Sequence, residues 1–244
     1  MEGRPTLDEF FAGQRLLVIA PHADDEVFGC AGTMAKIKDL GGEVFVVVVS
    51  VGDLVHYTDE GQIPVAGNTR VEELKGAMEF LGVDDWDVLI KDPQQHLRLD
   101  VMPRRDLIAL FEREGRLSID RLKPSIVALP AVSYNQDHEA VFKAGFTACR
   151  PHLPEKKPFQ RIVLSYDNPA ISWSLEREKF HPNFYVDITD YLDAKMKAVQ
   201  FHASQIKSRL HHASLENVEW LARVRGREIS VEAAEAYVCH RFVL

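Results

Sequence analysis

Short runs of aliphatic and β-branched residues recur along this chain, and segments with helical spacing lie between them. RLLVIA from Arg15, EVFVVVVS from Glu43, Asp87 to Ile90, PSIVAL from Pro124 and IVLSY from Ile162 are such runs. A near-continuous apolar run bounded by turn residues is what a strand covered on both faces requires, and such strands belong to parallel sheets. Pro21 and Pro130 follow the first and fourth runs and read as strand stops. Helices are expected over Cys30 to Leu40, ended by Gly41-Gly42, and over Arg70 to Leu81, capped by Thr69 and ended by Gly82. Two more are expected over Pro103 to Glu114, with Pro at its start, and Asp137 to Cys149. The fold class that follows is α/β: a Rossmann-like, mostly parallel sheet with helices on both faces.

The last third is less regular. FYVDIT reads as a short strand, Asp190 to Ile206 and Leu215 to Val224 as helices, and AYVCHRF as a closing strand. No repeat, low-complexity tract or linker interrupts the 244 residues, so a single domain over 1–244 is expected. Gly52 to Asn68 reads as a long polar loop, and such a loop in a compact domain is usually functional or mobile.

Charge and composition remove several classes of function. A formal charge of −8 argues against nucleic acid or an anionic membrane surface as partner. The longest apolar stretch, Val44 to Val49, is far short of the roughly 20 residues that span a bilayer. MEGRPTLDEFF lacks the basic-then-apolar pattern of a secretory signal. Cys30, Cys149 and Cys239 are odd in number and widely spaced, which fits small buried thiols better than a disulfide framework. A cytoplasmic protein is expected.

Pro21-His22-Ala23-Asp24-Asp25-Glu26 carries the most chemistry. It joins the first strand to the first helix, at the carboxyl edge where open α/β sheets place their ligands. His22 and Asp25 can converge across this turn on one cation, with Asp24 beside it. Zinc accepts imidazole nitrogen and carboxylate oxygen, and a catalytic site uses three such ligands and a water. The third is available after the fourth strand, in Asn135-Gln136-Asp137-His138, where His138 stands near a helix start. Two histidines and an aspartate also accept iron, cobalt, nickel or manganese. The bland alternative is that an Asp-Asp pair before a helix caps it and complements its dipole.

PHADDE resembles the PHxDDE signature of the PIG-L (LmbE-like) de-N-acetylase family, and NQDHEAV resembles its second metal motif. TRVEELKGAMEFLG, FHPNFYVDIT, KMKAVQFHASQ and ARVRG followed by AEAY resemble its later elements, over roughly residues 15 to 242. The resemblance implies zinc ligation by His22, Asp25 and His138, with Asp24 as general base in hydrolysis of an N-acetyl amino sugar. Relatives are often homo-oligomers. Many relatives carry a histidine where this chain has Asn135; Asn can donate to an oxyanion but cannot act as an acid. His202 and His181 are the candidates for the missing acid, against the plainer reading of each as a structural or surface histidine. Arg70 matches the family's substrate-binding arginine, with the alternative that it is an exposed residue paired to Glu73. Asp137 is expected to orient a ligand or cap a helix. Tyr134, Trp173, Phe180, Phe184 and Tyr185 fall in or near irregular segments, where an aromatic face can meet a sugar or pack in the core.

The favoured function is thus removal of acetyl from an N-acetylated amino sugar or conjugate. A zinc amidase acting on another amide, such as an acylated thiol conjugate, would be told apart by products from a panel of N-acyl substrates. A non-catalytic nucleotide-binding module would be told apart by metal content; PHADDEVFG offers no G-x-G-x-x-G phosphate cradle.

Overall fold

The first apolar run becomes the spine of the molecule. In the computed structural model, which describes residues 10–58, 61–153, 155–157, 159–174, 176 and 180–243, it forms β1 (Arg15–His22). Leu16, Val18 and Ala20 enter one core while Leu17 and Ile19 enter another on the opposite face. The second run, β2 (Glu43–Ser50), divides in the same way: Val44, Val46 and Val48 lie on one side and Phe45, Val47 and Val49 on the other. Both faces are dry, so neither strand alternates.

Around these two strands the chain lays down α1 (Asp25–Asp39), a hairpin of β3 (Leu54–Thr58) and β4 (Gly61–Val65), α2 (Gly67–Leu81) and β5 (Asp85–Ile90). Then come α3 (Arg104–Ala109), α4 (Ile119–Leu122), β6 (Ile126–Pro130), α5 (Gln136–Ala148) and β7 (Ile162–Tyr166). β8 (Phe184–Asp187), α6 (Leu192–Phe201), α7 (Leu215–Arg227) and β9 (Ala234–Phe242) complete it. The main sheet has the order β5-β2-β1-β6-β7-β9-β8. β5 to β7 run parallel, and β9 pairs antiparallel with both β7 and β8. The mostly parallel α/β sheet expected from the sequence is the one observed.

Several local expectations are corrected. Pro21 does not stop β1, which continues to pair His22 with Ser50; Pro21 itself has no partner, and its lost N–H costs the ladder nothing there. Pro130 is the last residue of β6, so the fourth strand does stop there, as expected. Thr69 is not a cap, because α2 begins earlier, after Ala66. The helix expected over Pro103 to Glu114 ends at Ala109 and widens into a π-helical turn over Leu110–Glu114. The helix expected to reach Ile206 stops at Phe201, and α7 runs on to Arg227. The supposed polar loop holds the β3–β4 hairpin, which pairs only with itself. Its alternation was hidden by Gly61 and Pro64, which usually break strands; an isolated ribbon has an open outer edge and tolerates them.

Gly29 decides how closely α1 lies on the sheet. A β-carbon there would overlap the Tyr166 ring, whose hydroxyl donates to the Ile19 carbonyl at 3.2 Å. The amino end of α1 is therefore held tight against the carboxyl ends of β1 and β7. Among the described residues, no helix is long and apolar enough to cross a membrane. Cys30, Cys149 and Cys239 are free thiols, the first two buried.

Candidate active site

Four segments meet at the carboxyl edge of the sheet: the β1–α1 turn, the start of α5, the segment after β7 and the start of α2. His22 is the last residue of β1 and Asp25 the first of α1. The Asp25 carboxylate folds back, so that its Oδ2 accepts from the His22 backbone N–H at 2.9 Å while Oδ1 accepts from Asn168 Nδ2 at 2.7 Å. From α5, Asp137 Oδ2 bonds His22 Nε2 at 2.8 Å, and Asp137 Oδ1 accepts from Leu99 N–H at 2.9 Å. With Asp137 Oδ2 accepting from His22 Nε2, a neutral His22 carries its proton on Nε2 and turns the Nδ1 lone pair towards Asp25, the form in which it could ligate a cation. His138, 1% exposed, brings Nε2 to 3.3 Å from the same Asp25 oxygen that His22 Nδ1 approaches at 3.6 Å.

One ligand atom from each of His22, Asp25 and His138 lies within 4.8 Å of the others, which suits a single small cation. A further observation fits one. Among the described residues, no lysine or arginine pairs with Asp25 or Asp137, so two buried carboxylates are balanced only by imidazole. Burial pulls the pKa of His22 down, but hydrogen bonds and charge from Asp137 and Asp25 outweigh it and raise His22 to about 9. That is the field of a place built for positive charge. Burial lowers His138 to about 4, which keeps its lone pair available.

Asp24 stands beside this cluster in an unusual backbone conformation, φ 137° and ψ −34°, that side chains rarely adopt. It occupies the N-cap position of α1, yet its side chain makes no capping bond. Its N–H is fixed by Glu26 Oε2 at 2.9 Å, and Glu26 Oε1 is bonded by His202 Nε2 at 2.9 Å. His202 and Glu26 are both 0% exposed. Burial and the adjacent Asp25 raise the Asp24 carboxyl to about 7, against the pull of Arg70 and His202.

Arg70 is 2% exposed, which removes the reading of it as a surface residue. Glu73 bonds Ser204 instead. One guanidinium nitrogen of Arg70 donates to the Ala23 carbonyl and another to His96 Nε2, each at 3.1 Å; Nε is buried without a partner. His96 Nδ1 bonds Ser50 Oγ at 3.1 Å. Burial, with the nearby His22 and Arg70, lowers His96 to about 4, so it is the neutral acceptor that Arg70 needs.

Asn135 is the N-cap of α5, and its Oδ1 accepts from the backbone N–H of Asp137 and His138 at 3.1 and 3.4 Å. The helix end that carries two of the clustered residues is thus set by Asn135. His181 is exposed before β8. Tyr134 and Trp173 are exposed near one another, joined through Tyr134 N–H to the Ser174 carbonyl at 2.7 Å. Phe180 lies under Arg225, Phe184 packs in the core and Tyr185 bonds Glu228. Sequence reasoning missed Glu26, His96 and Asn168. Asn168 follows the end of a predicted strand, a usable signal; His96 lies in an irregular stretch that offers none.

The family model described as PIG-L: GlcNAc-PI de-N-acetylase matches residues 17–149. The chain belongs to the PIG-L family. It is 27% identical over 230 residues to a probable N-acetyl-alpha-D-glucosaminyl L-malate deacetylase 2 of Bacillus anthracis, covering 86% of this chain and 92% of that one. It is 28% identical over 204 residues to diacetylchitobiose deacetylase of Thermococcus kodakarensis, covering 79% and 70%. Among solved structures, the conserved protein TT1542 of Thermus thermophilus superposes with a TM-score of 0.70 at 26% identity, over 94% of this chain and 96% of that one. The segment from β1 to α5, matched by the family model, supplies every residue of the His22, Asp25 and His138 cluster.

Proposed function

We propose that this protein, as one domain, is a zinc-dependent N-deacetylase that hydrolyses the acetamide of an N-acetylated amino sugar within a small conjugate. The observation that carries this is the buried His22, Asp25 and His138 set with the Asp24 carboxylate beside it, uncommitted to the helix it caps. The names of the relatives, a glucosaminyl malate deacetylase and a chitobiose deacetylase, favour sugar over other amides.

His22, Asp25 and His138 would hold the ion, with Asp137 fixing the His22 tautomer and Asn168 fixing the Asp25 rotamer. When bound, the ion polarises the acetyl carbonyl and acidifies a water. Asp24 takes a proton from the water as its oxygen adds to the carbonyl carbon. The same carboxyl then passes that proton to the amine nitrogen as the C–N bond breaks, leaving the free amino sugar and acetic acid, which gives up its remaining proton to become acetate. A carboxyl raised by burial is suited to both halves of this transfer near neutral pH. Arg70 supports the charge on Asp24 and lines the substrate side; the Asn135 amide is assigned to the developing oxyanion. His202 acts through Glu26 on the placement of Asp24.

The test is acetate release from a panel of N-acetylglucosamine conjugates and non-sugar N-acyl compounds, with metal content measured on protein purified without chelator. Acetate from the sugar conjugates, with metal and turnover lost together in His138→Ala, is expected. Full activity and full metal content in His138→Ala would remove that residue from the site.

A further inference from the structure

Two charged side chains outside the cluster are almost wholly buried against α1. Lys195 of α6 and Glu235 of β9, 3% and 4% exposed, form an ion pair at 2.6 Å. They come from KMKAVQFHASQ and AEAY, beyond the segment that supplies His22, Asp25 and His138. Both are bonded to the backbone of α1. Lys195 Nζ donates to the Phe28 carbonyl at 2.8 Å and reaches the Val27 carbonyl at 3.4 Å. Glu235 Oε1 accepts from the Gly32 N–H at 3.0 Å, and Oε2 from the Thr33 N–H at 2.8 Å. The Tyr237 hydroxyl lies 2.7 Å from Thr33 Oγ1 and 3.1 Å from Glu235 Oε2.

The regular helical ladder joins the N–H of residue 32 to the carbonyl of residue 28. In α1 each end of that rung has a charged partner of its own, so the ion pair lies across the ladder between the first turn and the rest of the helix. Stability alone does not account for such a pair, since neutral residues of similar volume serve a buried position as well or better. What it does is fix backbone groups next to the catalytic turn. Asp25 is the first residue of α1, and the Asp24 carbonyl accepts from the Val27 and Phe28 N–H groups at 3.1 and 3.0 Å. The Val27 carbonyl and the Phe28 N–H belong to one peptide unit, held by Lys195 on one side and by Asp24 on the other. His202, two helical turns beyond Lys195, reaches the same turn through Glu26.

We propose that Lys195 and Glu235 form a clamp on α1 that positions its first turn, holding Asp25 at the metal and Asp24 beside it. They are positioning residues and touch no substrate. Their effect on turnover rests on the deacetylase function proposed above; their effect on the backbone does not.

The experiment uses the double variant Lys195→Met, Glu235→Gln, which removes both charges at similar volume and leaves neither unpaired. Its urea midpoint should stay near the parent's. Hydrogen exchange of the metal-free proteins, read by mass spectrometry, should be roughly 10-fold faster over residues 24–31 and unchanged in α5 and β6. A role in overall stability alone would speed exchange throughout. Competition with a chelating dye should show zinc bound roughly 10- to 100-fold more weakly. With zinc saturating, kcat on an N-acetylglucosamine conjugate should fall by about the same factor, with KM within about twofold. A folded double variant that matches the parent in exchange over 24–31, in zinc affinity or in kcat overturns the clamp, as does exchange that rises equally in α5 and β6. Should the double variant not fold, Tyr237→Phe, which removes one bond to the Glu235 carboxylate, is read in the same way: smaller changes in the same direction support the clamp, and none overturns it. If the parent neither binds zinc nor releases acetate, the deacetylase function fails instead, and hydrogen exchange alone decides the clamp.

Discussion

Replacing Asp24 by glycine should make the metal-free protein more stable than replacing it by alanine. Both changes delete the same carboxylate, so its desolvation and its repulsion by Asp25 cancel in the comparison. What differs is the backbone, held at φ 137° and ψ −34°, where a β-carbon is strained. Such residues cost about 1–3 kcal/mol, and glycine escapes this strain. Glycine loses more chain entropy on folding, about 0.5–1 kcal/mol relative to alanine. The net advantage of Asp24→Gly is centred on about 1 kcal/mol, with about 2.5 kcal/mol as its upper bound. For a chain of this length the central value is a Tm higher by about 2–4 °C than Asp24→Ala. The assay is calorimetric or circular-dichroism melting of both variants after dialysis against chelator, checked by urea denaturation. Both should lack turnover, since neither has a proton acceptor at this position. An alanine variant as stable as the glycine variant would refute the strain at Asp24. A glycine variant that still turns over would refute its role as base.

Asn135→Ala should lower stability by about 1 kcal/mol through loss of the α5 cap, and kcat by about 10²-fold if its amide meets the oxyanion. Melting and kinetics separate the two, and a loss of stability with normal kcat would make Asn135 a cap alone. His96→Leu should raise KM more than it lowers kcat, because Arg70 loses the acceptor that holds it; His96→Gln, which keeps an acceptor, should recover part of the loss, and an unchanged KM would detach His96 from Arg70. Burial raises the Glu112 carboxyl, but Lys157 and Arg150 outweigh this and hold it below its usual value, so it stabilises the fold above the unfolded pKa near 4.5 and ceases to do so as pH falls through the folded one. Urea melts of Glu112→Gln should therefore show a deficit against the parent at pH 7 that shrinks below about pH 4.5; a deficit independent of pH would refute the ionic contribution.

Much of the molecule was legible in one dimension, because local rules produce it. Strands buried on both faces must be apolar without alternation, so β1, β2, β6 and β7 announce themselves, and the parallel sheet follows from the helices between them. The carboxyl edge of such a sheet is where short turns carry polar residues, so His22, Asp24, Asp25, Asp137 and His138 could be singled out before any contact was known. The antiparallel position of β9 between β7 and β8 could not, since its pairing is a choice among distant partners that no local pattern records. The hairpin at residues 54–65 was concealed for a related reason: its strands pair only with each other, and β4 is exposed over most of its length. The environment of each charged group was the last thing to emerge. Arg70 and Glu73, one helical turn apart, invite pairing; folding instead buries Arg70 against His96 and gives Glu73 to Ser204. His96, Asn168 and Lys195 acquire their positions from chain segments far away in sequence. The sequence by itself determined which side chains this protein owns and the strand ends that carry them. Only the tertiary structure decided which charges are paired, which are buried and which are left to meet a ligand, because burial and Coulomb energy depend on distances that the order of residues does not contain.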